Sequence, residues 1–298
     1  MVRVRPVNRL SPDQHREVLD FLDDARALGS ARLSDHLRLD LEQGPRPGFA
    51  AALADDGGRI VGYAQASAGN EGFVVDCIVL PSVAAGDDTR CTLLRTLVAE
   101  LPVASAVTWW VRPDASSAAT ALHLRLQPDR QLLMMHRDLP IADAAVVHVR
   151  SFVVGADEAR WLEVNNAAFA AHGEQGGWDA ATLLQREREP WFDPDGFLLH
   201  EREGRLAAFC WTKLHPAEAP GGGIAGEIYV IAVHPDFHGL GLGRALTVAG
   251  LQHMQHAGAI TAILYVDATN TSAVRLYQSL GFTVARTEQS YRRTGAPR

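Results

Sequence analysis

Lysine is almost missing from this sequence: of its 28 basic residues all but Lys213 are arginine. Positive charge as a whole is also short, 28 basic residues against 35 acidic, for a formal net charge of −7. A nucleic-acid footprint would need clustered Arg and Lys, so that class of partner is excluded and any anion must be held locally. Cysteine is scarce as well. Cys77, Cys91 and Cys210 are odd in number, widely spaced and outside any C-x-x-C pattern, which argues against a disulfide framework or a thiolate zinc site and predicts a reducing cytoplasm. No apolar run approaches the roughly 18 residues of a membrane span, and "MVRVRPVNRL" carries no apolar segment behind its arginines, so neither a span nor a signal peptide is expected.

What is present is a long chain, 298 residues at 47% hydrophobic, enough for two cores. Apolar strands alternate with amphipathic helices in an order that occurs twice. The first pass runs from the helix "SPDQHREVLDFLDDARAL" through the strands "GFAAALADD", "RIVGYAQASA" and "FVVDCIVLP". The helix "DTRCTLLRTLVAEL", the strand "AVTWWV", the helix "SSAATALHLRL" and the strand "QLLMMHRDL" complete it. The second pass reads "DEARWLEVNNAAFAA", "GFLLHEREG", "RLAAFCWTKLHP", "GEIYVIAVHP", a helix over 243–256, "ITAILYVD", "TSAVRLYQSLGF" and "TVARTEQSYRR". Setting "IVLP" under "IAVHP" brings the halves into register and predicts a tandem duplication in an α/β chain. Its domains would be 1–140 and 146–298, with the joint at Leu139 to Val147, where the pattern lapses after a proline.

One stretch carries chemistry on its face. In "VHPDFHGLGLGRAL" a strand is stopped by Pro235, and glycines spaced two apart precede an apolar helical run. Backbone N–H groups at a helix start are unpaired and sit at the positive end of the helix dipole, and glycine lets an anion approach them. The pattern is neither a Walker loop, since the following Lys is missing, nor G-x-G-x-x-G. Taken alone it is equally a tight strand-to-helix turn. Twelve histidines raise the question of a metal, but His234, His238, His253 and His256 have no H-E-x-x-H spacing, and no metal is expected. Cys210, in "AAFCWT", reads as a buried small hydrophobe.

The strand with V-x-P, the G-x-G loop at a helix start and the later "NTSAVRLYQSLGF" together resemble the GCN5-related N-acetyltransferase family. "NNAAFAAHGEQGGW", "WFDPDGFLL", "FCWTKLHP", "GEIYVIAVHP" and "LYQSLGF" are similar to a two-domain branch of it that acetylates a cysteinyl-glucosaminyl-inositol, a small-molecule acceptor. The resemblance implies two tandem domains, each a mixed, mostly antiparallel sheet flanked by helices. It implies acetyl-CoA as cosubstrate, held by Ile231, Ala232, Val233, His238, Gly239, Leu240, Gly241, Leu242, Gly243 and Arg244 and by Asn270, Ala273 and Arg275. His238, Gly239 and Leu240 stand where the family favours Gln or Arg, which leaves the backbone as the main anion holder.

From the same resemblance Glu227 takes the place of the general base, Tyr277 that of the acid protonating the thiolate, and the backbone of 231–233 that of the oxyanion donors. Asp35, Glu174, Lys213, Glu227 and Tyr265 match acceptor contacts. On residue chemistry alone the alternative readings are a solvated strand charge at Glu227, a packing tyrosine at Tyr277, a helix N-terminal acid at Asp35 and a surface residue at Lys213. An acetyltransferase for another amine or a protein N-terminus, and a CoA-sensing module without turnover, stay open. Aligning the halves puts Phe73 at the base position and Ala121 at the acid position, with Asp87 and Asp88 in the loop. The first domain is therefore expected to be degenerate and catalytically silent, and the whole chain a monomer without nucleic-acid or membrane partners.

Overall fold

The computed structural model describes residues 2–29, 33–42, 47–69, 71–83, 85–170 and 175–295. It divides into two compact units, Met1–Gln131 with Glu288–Arg298, and Leu132–Thr287.

The first unit opens with β1 (Arg3–Val7) and α1 (Pro12–Ala27). Ser11 starts α1 by accepting from the Gln14 N–H at 3.2 Å, while the Gln14 side chain accepts from the Ser11 N–H at 3.0 Å, a reciprocal cap. After α2 (Asp35–Glu42) come β2 (Ala50–Asp56), β3 (Arg59–Gly69) and β4 (Gly72–Val79), an antiparallel meander with β1 on its outer side. Helix α3 (Gly86–Ala99) crosses over to β5 (Val107–Val111), which runs parallel to β4, and α4 (Ala115–His123) leads to β6 (Gln127–Asp138). Alternating side chains fill two cores, one with Leu93, Leu97 and Trp109, the other with Phe21, Leu37 and Tyr63.

The second unit takes Leu132–Asp138 of β6 and continues through β7 (Arg150–Ser151), α5 (Glu158–Ala168) and α6 (Ala180–Glu187). The strands β8 (Phe197–Arg202), β9 (Arg205–His215) and β10 (Ile224–Val233) pair antiparallel in turn. Helix α7 (Leu242–His256) then crosses to β11 (Ala259–Asp267), parallel to β10, followed by α8 (Thr271–Ser279) and β12 (Thr283–Arg293). Helix α7 lies close on the sheet because glycines meet it: a β-carbon at Gly226 would collide with Met254, and one at Gly250 would come within 2.6 Å of Cys210 Sγ. The opposite face is covered by aromatic packing, with Phe197 stacked on Trp211 at 4.2 Å and Trp161 edge-on to both.

Each unit is thus a mixed, mostly antiparallel sheet flanked by helices, as expected. The division differs from 140/146. Leu132–Asp138 of β6 pairs antiparallel with Thr261–Asp267 of β11, inside the second unit. Gln289–Arg293 of β12 pairs with Val107–Val111 of β5, inside the first. The closing strand of each repeat has been exchanged for that of the other, so residues 132–140 belong with the second unit and 288–295 with the first.

Candidate active site

The site is organised by a failure of strand pairing. β10 and β11 are paired from Ile224 with Ala259 to Ile228 with Leu264, and there the ladder ends. Beyond it β11 stays with β6 as far as Asp267, while β10 stays with β9 to Val233. On the β9 side Ile228 faces Thr212 and Val230 faces Trp211, so Tyr229 is an extra residue, a β-bulge that bends β10 away from β11. The His234 N–H donates to Ala207 O across the β9 side at 2.8 Å. By strand alternation the N–H groups of Val233 and Ile231 turn to the opposite edge, into the gap.

At the end of that gap sits the glycine loop. Pro235–Phe237 form one 3-10 turn, capped by the His234 ring accepting from the Asp236 N–H at 3.2 Å. Gly239 (φ 79°) and Gly241 (φ 74°) follow in the left-handed region, where a side chain costs about 1–2 kcal/mol. A β-carbon on either would touch nothing within 4 Å, so backbone conformation, not crowding, calls for glycine. Gly241 is the N-cap of α7 and no side chain caps the helix start, which leaves its first N–H groups for an anion. The cradle fits a pyrophosphate on that count. As for the side chains of the loop, His238 Nε2 lies 3.0 Å from Val233 O, Leu240 is exposed, and Arg244 pairs with Asp143 at 2.8 Å. Leu242 is buried, and a β-carbon at Gly243 would lie 3.7 Å from Leu276, which sets α8 beside the loop. In α8 Asn270 caps the helix by accepting from the Ala273 N–H at 3.2 Å, Ala273 packs on the core and Arg275 is exposed. Tyr277 is buried against Phe282, and burial pushes its phenol well above the ordinary value, so it stays a proton donor.

On the sheet face away from α7, Glu227 lies opposite Lys213, its register partner. The single lysine is nearly buried at 9% exposed, its Nζ 4.5 Å from the Trp191 ring centre and 5.4 Å from that of Tyr229. A compact ammonium on two aromatic faces is where lysine and arginine are not interchangeable. Tyr265, on the same face of β11, is exposed, and its hydroxyl accepts from Arg286 at 2.7 Å. Glu174 lies outside the described residues. Asp35 belongs to the first unit, at the start of α2, 3.9 Å from Arg38 Nε. Cys210 is buried and its thiol is pushed up to about 12 by burial, as its apolar neighbours imply. Among the described residues no cluster of three His, Cys, Asp or Glu is placed to hold a metal, and no helix is long and apolar enough to cross a membrane.

Sequence reasoning did not name His215, whose Nε2 lies 2.6 Å from Glu227 Oε2, nor Arg286 or the aromatic pair under Lys213. The signal for His215 is strand alternation: it lies two residues after Lys213 in "WTKLH" and therefore on the same face.

The sequence profile of the acetyltransferase (GNAT) family matches residues 160–282. The mycothiol acetyltransferase of Stackebrandtia nassauensis is 40% identical over 98% of this chain and 99% of its own. The chain belongs to the mycothiol acetyltransferase family. That of Streptomyces avermitilis is 41% identical over 95% and 92% of the two chains. Among solved structures, a GCN5-related N-acetyltransferase from Sphaerobacter thermophilus aligns with a TM-score of 0.67 at 21% identity, covering 99% of this chain and 96% of its own. A tandem GNAT protein of the clavulanic acid pathway aligns at 0.69 and 14% identity over the whole of both chains. At such identities the likeness is one of fold. Membership of the family makes the protein an acetyltransferase of tandem GNAT architecture.

The first unit lacks the bulge. β3 and β4 pair without a register shift from Gly62 with Val79 to Gly69 with Gly72. Its α3 starts after Ala85, a left-handed residue at φ 56°, with Asp87 and Asp88 in the first turn.

Proposed function

We propose that the second unit transfers the acetyl group of acetyl-CoA to the cysteinyl amine of cysteinyl-glucosaminyl-inositol, giving mycothiol, and that the first unit does not catalyse. The observation that carries this reading is the position of Glu227, one residue before β10 and β11 part. A carboxylate there lies at the mouth of a gap with inward N–H groups and an uncapped helix start beyond it. Acetyl-CoA, when bound, supplies an activated acetyl group. The first N–H groups of α7, with the Gly239–Gly241 backbone, would hold its pyrophosphate, and the N–H groups of Ile231 and Val233 would face the thioester carbonyl oxygen as it gains charge.

The acceptor amine, like other α-amino groups, has a reference pKa of about 7.7–8.0 and is mostly protonated at neutral pH. Glu227 takes that proton, directly or through one water, and exposes the nitrogen lone pair. Tyr277, kept protonated by burial, would give its proton to the sulfur as the C–S bond breaks and the C–N bond is completed, and would take up in turn the proton that the acylated nitrogen sheds, so that no tyrosinate persists. Lys213 and Tyr265 would bind the hydroxyl-rich acceptor, Lys213 with an ammonium already fixed over two rings. In the first unit Phe73 and Ala121 leave both proton-handling positions without a titratable group.

The test is mass spectrometry of cysteinyl-glucosaminyl-inositol after incubation with acetyl-CoA and the protein. One acetyl gained on nitrogen, with CoA released in equal amount, is the expected result. Acetyl-CoA bound but never consumed would replace the reading with a sensing module, and acetylation of other amines only would replace the acceptor.

A further inference from the structure

We infer that His215 is a positioning residue for the base, holding one oxygen of Glu227 so that the other faces the acceptor amine; this rests on the reading of Glu227 as that base. His215 ends β9 opposite Ala225, and Glu227 is two residues further along β10, so the two are diagonal neighbours on one face. The ring Nε2 and Glu227 Oε2 are 2.6 Å apart. An ionised carboxylate only accepts, so the imidazole Nε2–H donates. Oε1 of Glu227 takes no hydrogen bond from any described residue, and it is the oxygen left for the amine.

A second carboxylate lies behind the imidazole, beyond hydrogen-bond distance. After β9 the chain turns through Ala217, a non-glycine residue at φ 59°, and the turn brings Glu218 Oε2 to 3.7 Å from His215 Nδ1. Left-handed backbone at an alanine is uncommon, and such positions persist where surrounding structure requires them. Side-chain exposure falls from 26% at Glu218 to 15% at His215 and 12% at Glu227, so the row runs inward from the surface and ends on the base. The charged group across the strand pair is Lys213, occupied with Trp191 and Tyr229. Without His215, Glu227 would be free to swing toward that ammonium and out of line with the amine.

The test is steady-state acetyl transfer by the full chain to cysteinyl-glucosaminyl-inositol, with acetyl-CoA affinity measured separately by calorimetry. His215→Leu is expected to lower kcat by about 10²-fold, the scale of misplacing a catalytic group by an ångström, with acetyl-CoA affinity unchanged. His215→Gln, whose amide can donate to the same oxygen, should recover most of that loss. His215→Asn is too short to reach Glu227 and should behave like His215→Leu, which keeps the test open if the apolar variant does not fold. Added to Glu227→Gln, His215→Leu or His215→Asn should cost nothing further, because both act through one carboxylate. Wild-type kcat in His215→Asn, no recovery with Gln, or a full second loss in the double variant would each overturn the inference. Failure of the wild-type chain to acetylate this acceptor would overturn the functional reading instead.

Discussion

Glu227 is a residue whose removal should leave a pH-dependent trace. Glu227→Gln is expected to bind acetyl-CoA normally in calorimetry and to lower turnover at neutral pH by about 10²- to 10⁴-fold, the usual reach of general-base catalysis. The loss should shrink as pH rises past about 8, where the amine loses its proton unaided; equal loss at every pH would remove Glu227 from proton transfer. A second residue tests the first unit. Asp76 on β4 is buried, and burial pushes its carboxyl up to about 6 from 3.8 although it accepts from the Ser34 N–H at 2.8 Å. Its folded pKa lies above the unfolded one, so its contribution to stability is complete below about pH 4 and is lost as pH rises through about 6. Asp76→Asn should match wild type near pH 4 and exceed it by up to about 3 kcal/mol near neutrality, read from Tm against pH. Single residues were legible where chemistry made them odd. The one lysine stood out by composition, and Glu227 through the resemblance. His215 and Trp191 did not, because a histidine at a strand end and a tryptophan in a turn carry no spacing that declares a partner far along the chain.

At the scale of elements the glycine loop and the bulge carry different amounts of sequence signal. The loop is written in its G-x-G letters, and α1, α3, α7 and α8 in their apolar period. A bulge inserts one residue into a strand that still reads as continuous apolar sequence, so Tyr229 looks like any other position of "GEIYVIAV". Helices α2 and α6, eight residues each, are too short for periodicity to declare. The loop predicts its own sensitivity. Gly241→Ala must enter the left-handed region at φ 74°, at a cost of about 1–2 kcal/mol, or tilt the first turn of α7. Acetyl-CoA affinity measured by calorimetry should fall about tenfold, the equivalent of that energy. Gly243→Ala, whose β-carbon would meet Leu276 at an ordinary 3.7 Å, should fall much less. Equal losses would mean that crowding, not backbone conformation, selects these glycines.

For the molecule as a whole, the duplication was legible and the exchange of closing strands was not, because β6 and β12 occupy equivalent places in the two repeats and either satisfies the same pattern. The exchange makes a prediction about fragments. Residues 146–298 lack the strand that pairs with β11, leaving Leu264 and Val266 without neighbours on that edge, whereas 132–287 keeps every strand of the second unit. Circular dichroism melts should show a cooperative transition for 132–287 and a weaker or absent one for 146–298; the reverse order would contradict the pairing. The same exchange sets a schedule for biosynthesis. A protein emerges from the ribosome N-terminus first, and domains ordinarily close in that order. Here β5 receives its neighbour from 289–293, made only after the whole second unit, so the half translated first is the half finished last. Until then its Trp109 edge stays open in the nascent chain, and premature termination anywhere in the second repeat leaves the first one unsealed too.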